Sequence, residues 1–387
     1  MKPSLVVLGN TLTALAVVRD AHNQGLDPIL VDKAWGIACH TRTARWELLN
    51  DANTEASQVD SLCELGANRE NYLIATGDSW LRFIVRNRSA LDAAFKHVLH
   101  ARNEILEICL NKIRFAQWCR EHDVPAPRAW FPLSEARPRA LGLPLFLRPA
   151  DTLHDRPLAG IPKALQVTTE RELQRWLSHY RDANIEPLVT ESLLGQPLIQ
   201  YSVAAARTGD QMISFVAQKV RPSADACSVG TYVRLASEPT IEASVRGALE
   251  KLDYFGIAEV EVLFAPRSGR HVLIEINARP WLQYALAPAS GHDFLGLLLK
   301  RTSNKKARRA NMAWLNWHDD LYACWSRSVG LVRKGDVAVL EYIRSILTAT
   351  TYPVFSIKDP EPALARFWPF GGRGRKRAYL AKGSQNY

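Results

Sequence analysis

Two runs well past the middle of this 387-residue chain constrain it most: Glu259-Val-Glu261-Val-Leu-Phe264 and His271-Val-Leu-Ile-Glu275-Ile-Asn277-Ala-Arg279-Pro280-Trp281. In the first, Val260, Val262 and Phe264 alternate with Glu259, Glu261 and Leu263; in the second, Val272, Ile274 and Ile276 alternate with Leu273, Glu275 and Asn277. That is the period of a strand. Pro266, Ser268 and Gly269 separate the runs, so the pair reads as a hairpin. On adjacent antiparallel strands Glu261 and Glu275 can face one another, and opposed carboxylates in a half-buried sheet repel unless a cation lies between them. Oxygen ligands that leave room for water and phosphate suit Mg²⁺. Asn277 adds a neutral oxygen, and Arg279 offers a planar fork for a phosphate or a developing oxyanion. An isolated E-x-N-x-R fits a solvated acidic face equally well. The partner Glu261 across the turn favours the metal and phosphate reading.

The length is great for one domain and comfortable for two or three. Hydrophobic residues at 47% and charged residues at 23% exclude a disordered or fibrous chain. After Met1-Lys2-Pro3-Ser4 the apolar run reaches only from Leu5 to Leu8, too short for a secretory signal, and no later stretch is long enough to span a bilayer. A cytoplasmic protein is expected. Cys39, Cys63, Cys109, Cys119, Cys227 and Cys324 lack zinc or redox spacing, so buried thiols and no disulfide are expected.

The formal charge of +10 invites a nucleic-acid reading, but much of it is local. One cluster is Lys300, Arg301, Lys305, Lys306, Arg308 and Arg309; another is Arg366, Arg373, Arg375, Lys376, Arg377 and Lys382, with no acid after Glu361. Gly371 to Arg377 has the composition of a flexible basic tail. A solvated terminus explains it, and peripheral contact of the tail with an anionic surface is the sharper alternative; a nucleic-acid partner is not expected. Homo-oligomerisation stays open.

From Leu5 to Asp32 the chain reads strand, glycine turn, helix (Leu12 to Gln24) and strand (Ile29 to Val31), a βαβ opening that implies a parallel sheet. Gly9-Asn-Thr-Leu-Thr-Ala-Leu lacks two glycines of the dinucleotide fingerprint, so this is read as a scaffold domain although Asp32 stands where a ribose partner would. Asn111 caps a helix that opens a second domain. Then follow the strand Leu143 to Pro149 with Arg148, an irregular polar stretch, a helix from Thr169 to Tyr180, strands at Leu188 to Gly195, Gln200 to Ala206 and Met212 to Val220, and a helix from Glu242 to Leu252. A basic linker after Leu299 leads to a helical, tryptophan-bearing region.

In order and spacing these pieces resemble the ATP-grasp superfamily, in its carboxylate-amine ligase branch, over roughly residues 1 to 300. The most specific part is Gly-Ile-Ala-Glu-Val-Glu261 with Ile-Glu275-Ile-Asn277-Ala-Arg279-Pro-Trp281. The resemblance implies an α/β and α+β protein: a parallel-sheet scaffold domain (1–108), a two-subdomain ATP-grasp fold (lid 109–186, metal and nucleotide part 187–302) and a mostly helical extension with a basic tail (303–387). It implies ATP and Mg²⁺ as cofactors, with Mn²⁺ as an alternative ion. Glu261, Glu275 and Asn277 match the metal ligands; Lys112, Arg148 and the hinge Glu191, Ser192 and Leu193 match nucleotide positions, with Lys163 added to that set. Arg279 matches the arginine at the transferred phosphate and acyl intermediate, and Lys219 and Arg221 lie near where the family binds γ-phosphate or the acid substrate. For those two the plain alternative is an exposed strand edge. His154, Asp155 and Lys163 are also read as surface residues of the lid.

Two departures stand out. Arg148 replaces the usual lysine with a rigid fork, and the covering loop from Ala150 to Lys163 has only Gly160. The implied activity is amide formation from a carboxylate and an amine through an acyl phosphate, releasing ADP and phosphate, on small-molecule substrates. The competing reading is a non-catalytic Mg-ATP-binding scaffold or regulator acting through its basic C-terminal region. His40-Thr-Arg42 and Trp281-Leu-Gln283-Tyr284 are the candidate acceptor pocket, with core packing the alternative for Trp281 and Tyr284.

Overall fold

The computed structural model describes residues 3–49, 54–67, 70–131, 141–151, 160–224, 228–301, 310–326 and 328–367. His154, Asp155, Cys227, the cations from Lys305 to Arg309 and the tail after Phe367 lie outside them. The chain forms two units: residues 1–100 with 279–387, and residues 101–278.

The first unit begins with β1 (Ser4–Leu8), α1 (Leu12–Asn23), β2 (Asp27–Asp32), β3 (Arg45–Leu48), α2 (Glu55–Ala67), β4 (Tyr72–Ala75), α3 (Asp78–Arg86), α4 (Arg88–Ala94) and β5 (His97–Val98). The strands pair in parallel in the order β3-β2-β1-β4-β5. β1 and β4 are buried throughout, because helices between parallel strands cover both faces of the sheet. Gly9 follows β1 with φ +131°, and a Cβ there would stand 2.2 Å from Thr76 Oγ1. Only glycine fits this turn. Asp32 is occupied by its own loop: Oδ1 accepts from the backbone N–H of Lys33 at 2.6 Å and Oδ2 from Trp80 Nε1 at 3.3 Å. It caps a turn.

The second unit contains α5 (Asn103–Leu110), α6 (Lys112–Glu121), β6 (Ala129–Trp130), β7 (Leu145–Pro149), β8 (Leu165–Val167), α7 (Glu170–Asp182), β9 (Pro187–Glu191), β10 (Ile199–Arg207), β11 (Met212–Pro222), β12 (Gly230–Ala236), α8 (Pro239–Lys251), β13 (Gly256–Ala265) and β14 (Arg270–Asn277). Asn111 caps α6, its side chain accepting from the N–H groups of Ile113 and Arg114. A small antiparallel sheet runs β6-β9-β7-β8. Thr169 and Glu172 close a capping box on α7, whose Leu173 and Tyr180 join Leu145, Leu147, Val167 and Val189 in one core. Burying such a side chain contributes about 2 kcal/mol.

The larger antiparallel sheet has the order β14-β13-β10-β11-β12. Tyr201, Val203 and Ala205 lie on one face, cross-paired with Val262, Val260 and Ala258. α8 packs there: Tyr201 Oη donates to Glu238 at 2.8 Å, and Ser214 Oγ donates to Glu242 at 2.6 Å. The opposite face carries the polar residues of the candidate site.

The chain then rejoins the first unit through α9 (Leu286–Ala289), α10 (Phe294–Leu298), β15 (Ala313–Leu315), α11 (Trp317–Trp325), α12 (Val339–Thr348) and α13 (Glu361–Phe367). Buried polar bonds fasten this segment to the N-terminal sheet. Tyr284 Oη donates to Asp20 at 2.7 Å. Asp359, 1% exposed, accepts from Arg19 Nε at 2.8 Å, Thr41 Oγ1 at 2.6 Å and the Arg42 backbone at 3.0 Å. Cys39, Cys63, Cys109, Cys119 and Cys324 are free thiols.

Candidate functional site

The hairpin forms as its alternation predicts. β13 and β14 are antiparallel, with Glu259 opposite Asn277, Val260 opposite Ile276 and Glu261 opposite Glu275. Between Glu261 and Val262 the register shifts, so that Val262 pairs with Leu273 and Ile274 is the extra residue. Strict alternation through Ile274, expected from the sequence, therefore fails: one bulged residue separates the register of the turn from that of the acidic end. Bulges bend a strand and re-aim its side chains. Direct cross-strand partners share a face, and β10 contributes Ser202 opposite Glu261 and Ala204 opposite Glu259. Lys219 of β11 stands opposite Gln200 on that same face.

The electrostatics follow from this gathering of carboxylates. Burial first, then the charges of Glu259 and Glu275, push the Glu261 carboxyl up to about 7, against the pull of Lys219 and Arg148. Gln200 Nε2 donates to Glu261 at 3.1 Å. Lys112 Nζ lies 3.5 Å from Glu275 Oε2, across the gap from α6. Asn277 Nδ2 donates to Glu259 Oε2 at 2.6 Å, and Ser202 Oγ also donates to Glu259. Glu259 is thus an anchor that turns the oxygen end of the Asn277 amide away from itself. Among the described residues no three His, Cys, Asp or Glu side chains form a closed metal cage. An opposed pair of carboxylates, one of them resisting ionisation, with a neutral amide nearby, fits Mg²⁺, which completes its shell with water and phosphate. It does not fit a structural zinc site.

No family model matches the chain. Among curated proteins it is 23% identical, over 227 residues, to a D-aspartate ligase of Enterococcus faecium, covering 55% of this chain and 54% of that one. The chain spans about half the length of that relative. Among solved structures, an L-amino acid ligase from Bacillus licheniformis superposes with a TM-score of 0.60 at 14% identity, covering 81% of this chain and 78% of that one. The biotin carboxylase domain of the Hydrogenobacter thermophilus 2-oxoglutarate carboxylase, in complex with MgADP, ADP and bicarbonate, superposes with a TM-score of 0.61 at 13% identity, covering 80% and 73%. The chain has the ATP-grasp fold.

Several positions that the ATP-grasp resemblance marks out meet around the hairpin. Lys112 begins α6 and reaches Glu275. Arg148, on β7, lies close enough to Glu261 to act on its charge, as does Lys219, whose Nζ also donates to the Ser228 carbonyl. Lys219 and Arg221 are not at an exposed sheet edge, because β10 and β12 flank β11. Arg221 is 1% exposed, with its guanidinium 4.4 Å from the centre of the Tyr232 ring. A buried cation stacked on an aromatic face fixes the strand locally.

The hinge differs from expectation in its side chains. Glu191 ends β9, but its carboxylate is clamped: Oε2 accepts from Arg128 Nε at 2.9 Å, Oε1 from the Arg128 backbone at 2.9 Å and from Arg270 at 2.5 Å. Burial alone would raise its pKa, but the arginines hold it below the ordinary value. The Ser192 N–H donates to the Pro144 carbonyl at 3.2 Å, and its hydroxyl accepts from Gln166 at 2.7 Å. Leu193 follows, half-buried, before the turn at Gly195. Lys163 is exposed before β8, and nothing among the described residues joins it to the carboxylates.

Within the first unit, Arg279 is bound through Nε to Asp78 Oδ1 at 2.5 Å. The residues expected at the acceptor pocket make contacts within the first unit. Trp281 and Tyr284 are buried at 3% and 0% exposure and meet edge to face at 5.7 Å. His40 accepts from Trp35 Nε1 at 3.0 Å, Thr41 bonds Asp359, and Arg42 pairs with Glu361. Sequence reasoning missed Arg128 and Arg270, which carry no local signal, and Asp78. Glu259 was legible as the acid two residues before Glu261, but its task of orienting Asn277 was not.

Proposed function

We propose that this chain is an ATP-dependent carboxylate–amine ligase that joins amino acids or short peptides. The observation that carries this reading is the in-register pair Glu261 and Glu275, ringed by Lys112, Arg148 and Lys219, in a chain of ATP-grasp fold. The D-aspartate ligase likeness supports an amino-acid substrate.

A carboxylate is a poor electrophile. In the proposed reaction a substrate carboxylate oxygen attacks the γ-phosphorus of ATP, the bond from that phosphorus to the bridging oxygen breaks, and ADP leaves. The amine nitrogen then attacks the acyl carbon, the C–O bond breaks, inorganic phosphate departs, and the proton lost from nitrogen passes to solvent. Both steps gather negative charge on oxygen, so fixed cations at the site lower their barriers. Arg148 and Lys219 are assigned to the phosphates, with Lys112 beside Glu275. Ser192 and Leu193 are assigned to the base and ribose side, in a strand end whose direction the Glu191 clamp fixes. Arg279 is assigned to the transferred phosphate and acyl oxygen. Glu261, Glu275 and the Asn277 oxygen would hold Mg²⁺, which would neutralise phosphate charge when bound.

The test is release of ADP and phosphate, measured with Mg-ATP across pools of amino acids and dipeptides. ADP release that requires both an acid and an amine, with a new amide in the product, is expected. Mg-ATP binding without turnover on any pool would overturn this reading in favour of a nucleotide-binding scaffold.

A further inference from the structure

Two acids, Glu259 and Glu261, lie two residues apart on one face of β13, and the ligase reading gives a task only to the second. Their surroundings differ. Glu261 stands opposite the carboxylate of Glu275, a pair that needs a cation, whereas Glu259 stands opposite the amide of Asn277, which brings its own donor. Glu259 is 5% exposed, in a strand flanked by β10 and β14. Its Oε2 accepts from Asn277 Nδ2 at 2.6 Å and its Oε1 from the Ser202 hydroxyl. Ala204, directly opposite on β10, presents only a methyl group, so the carboxylate reaches Ser202 on the diagonal. A polar line therefore crosses three strands, from Ser202 on β10 through Glu259 on β13 to Asn277 on β14.

This line has a direction. A side-chain amide has a donating end and an accepting end, and half a turn about its terminal bond exchanges them. An ionised carboxylate accepts and cannot donate, so Glu259 takes the NH2 end of Asn277 and leaves the oxygen end for a cation. With the amide turned over, the NH2 group would face the metal position, and Mg²⁺ takes oxygen ligands. The reversed amide would also set its oxygen against the Glu259 carboxylate, two acceptors held away from water. Ser202, by holding Oε1, fixes the carboxylate that does this sorting.

We propose that Glu259, held by Ser202, is a positioning residue for Mg²⁺: it sets which end of Asn277 faces the ion and is not itself a ligand. The inference rests on the reading of Glu261, Glu275 and Asn277 as the metal site. The test is Mg²⁺ binding to the full chain by titration calorimetry, with the melting profile of each variant recorded beside it. Glu259→Ala should weaken binding about ten- to a hundredfold. Glu259→Gln, which keeps an acceptor for Asn277 Nδ2, should lose less, and Glu259→Leu, which keeps bulk without an acceptor, repeats the test if the alanine variant does not melt cooperatively. Asn277→Asp decides between orientation and charge, because an aspartate carries oxygen at both ends and needs no sorting. Added to Glu259→Ala it should recover most of the lost affinity; made alone, facing the Glu259 carboxylate, it should bring no gain. Effects of the two substitutions that simply add, as charge by itself would have them, overturn the proposal. Wild type that binds Mg²⁺ no better than folded Glu259→Ala and Glu259→Leu variants overturns this inference and leaves the metal reading standing, whereas wild type that binds no Mg²⁺ overturns both.

Discussion

Asp78 Oδ1 lies 2.5 Å from the Nε of Arg279, and their side chains are only 10% and 16% exposed. Asp78 opens α3, where a carboxylate also meets the positive end of the helix dipole. Arg279 follows Asn277 by two residues, so the chain leaves the candidate metal strand and at once meets an anchor. A guanidinium gripped at Nε keeps its fork in one plane.

If Arg279 acts at the transferred phosphate, Asp78 sets its orientation. Asp78→Ala is expected to lower kcat about ten- to hundredfold with little change in the KM for ATP, and Asp78→Asn, which keeps an acceptor, to lower it less. Arg279→Ala should abolish turnover. Steady-state ADP release decides the matter, and an Asp78→Ala enzyme with unaltered kcat would remove Asp78 from the mechanism.

Glu261→Gln and Glu275→Gln should each reduce turnover at least about a hundredfold and weaken Mg²⁺ binding, measured by titration calorimetry. The fold should survive, since each change relieves repulsion across the hairpin. Equal Mg²⁺ affinity in both variants and wild type would disconnect the pair from the metal.

The raised pKa of Glu261 makes a pH prediction for the metal-free protein. Its carboxyl goes from an ordinary 4.5 to about 7 on folding, so between those values the folded chain holds a proton that the unfolded chain has lost. Stability from this group is full below the lower value and is lost as pH rises through the upper one. The melting temperature without Mg²⁺ should therefore fall from about pH 5 to about pH 7.5, and Glu261→Gln should flatten that slope. Mg²⁺ should bind more tightly over the same rise, because proton and cation compete for one carboxylate.

Asp359 receives three hydrogen bonds at 1% exposure, two from side chains of the N-terminal segment and one from its backbone. Asp359→Ala leaves the Arg19 cation without this partner and should cost about 3–5 kcal/mol. Differential scanning calorimetry would show it as a lowered melting temperature, and an unchanged value would mean that the clasp adds nothing.

Local patterns made the strands, the capped helices and the acidic hairpin legible, because alternation and capping act over a few residues. That Glu261 and Glu275 lie on adjacent strands could be read from the short turn between the two runs. That they stand directly opposite could not, because the register set by the turn would place Glu261 against Ile274 and only the bulge at Ile274 brings Glu275 there, and nothing in a regular alternation marks where a register slips. Trp281 and Tyr284 illustrate a second limit: aromatic residues after a candidate phosphate ligand suit a pocket or a core, and only burial against distant segments separates the two.

The sequence by itself determined the chemistry that gathers on the hairpin, because the acids, the amide and the strand period lie within nineteen residues of one another, from Glu259 to Asn277. Only the tertiary structure decided how that chemistry is held. Arg128 and Arg270 converge on Glu191, Lys112 meets Glu275 and Asp78 grips Arg279, all through contacts between segments far apart in the chain. Such contacts depend on packing that no local period encodes.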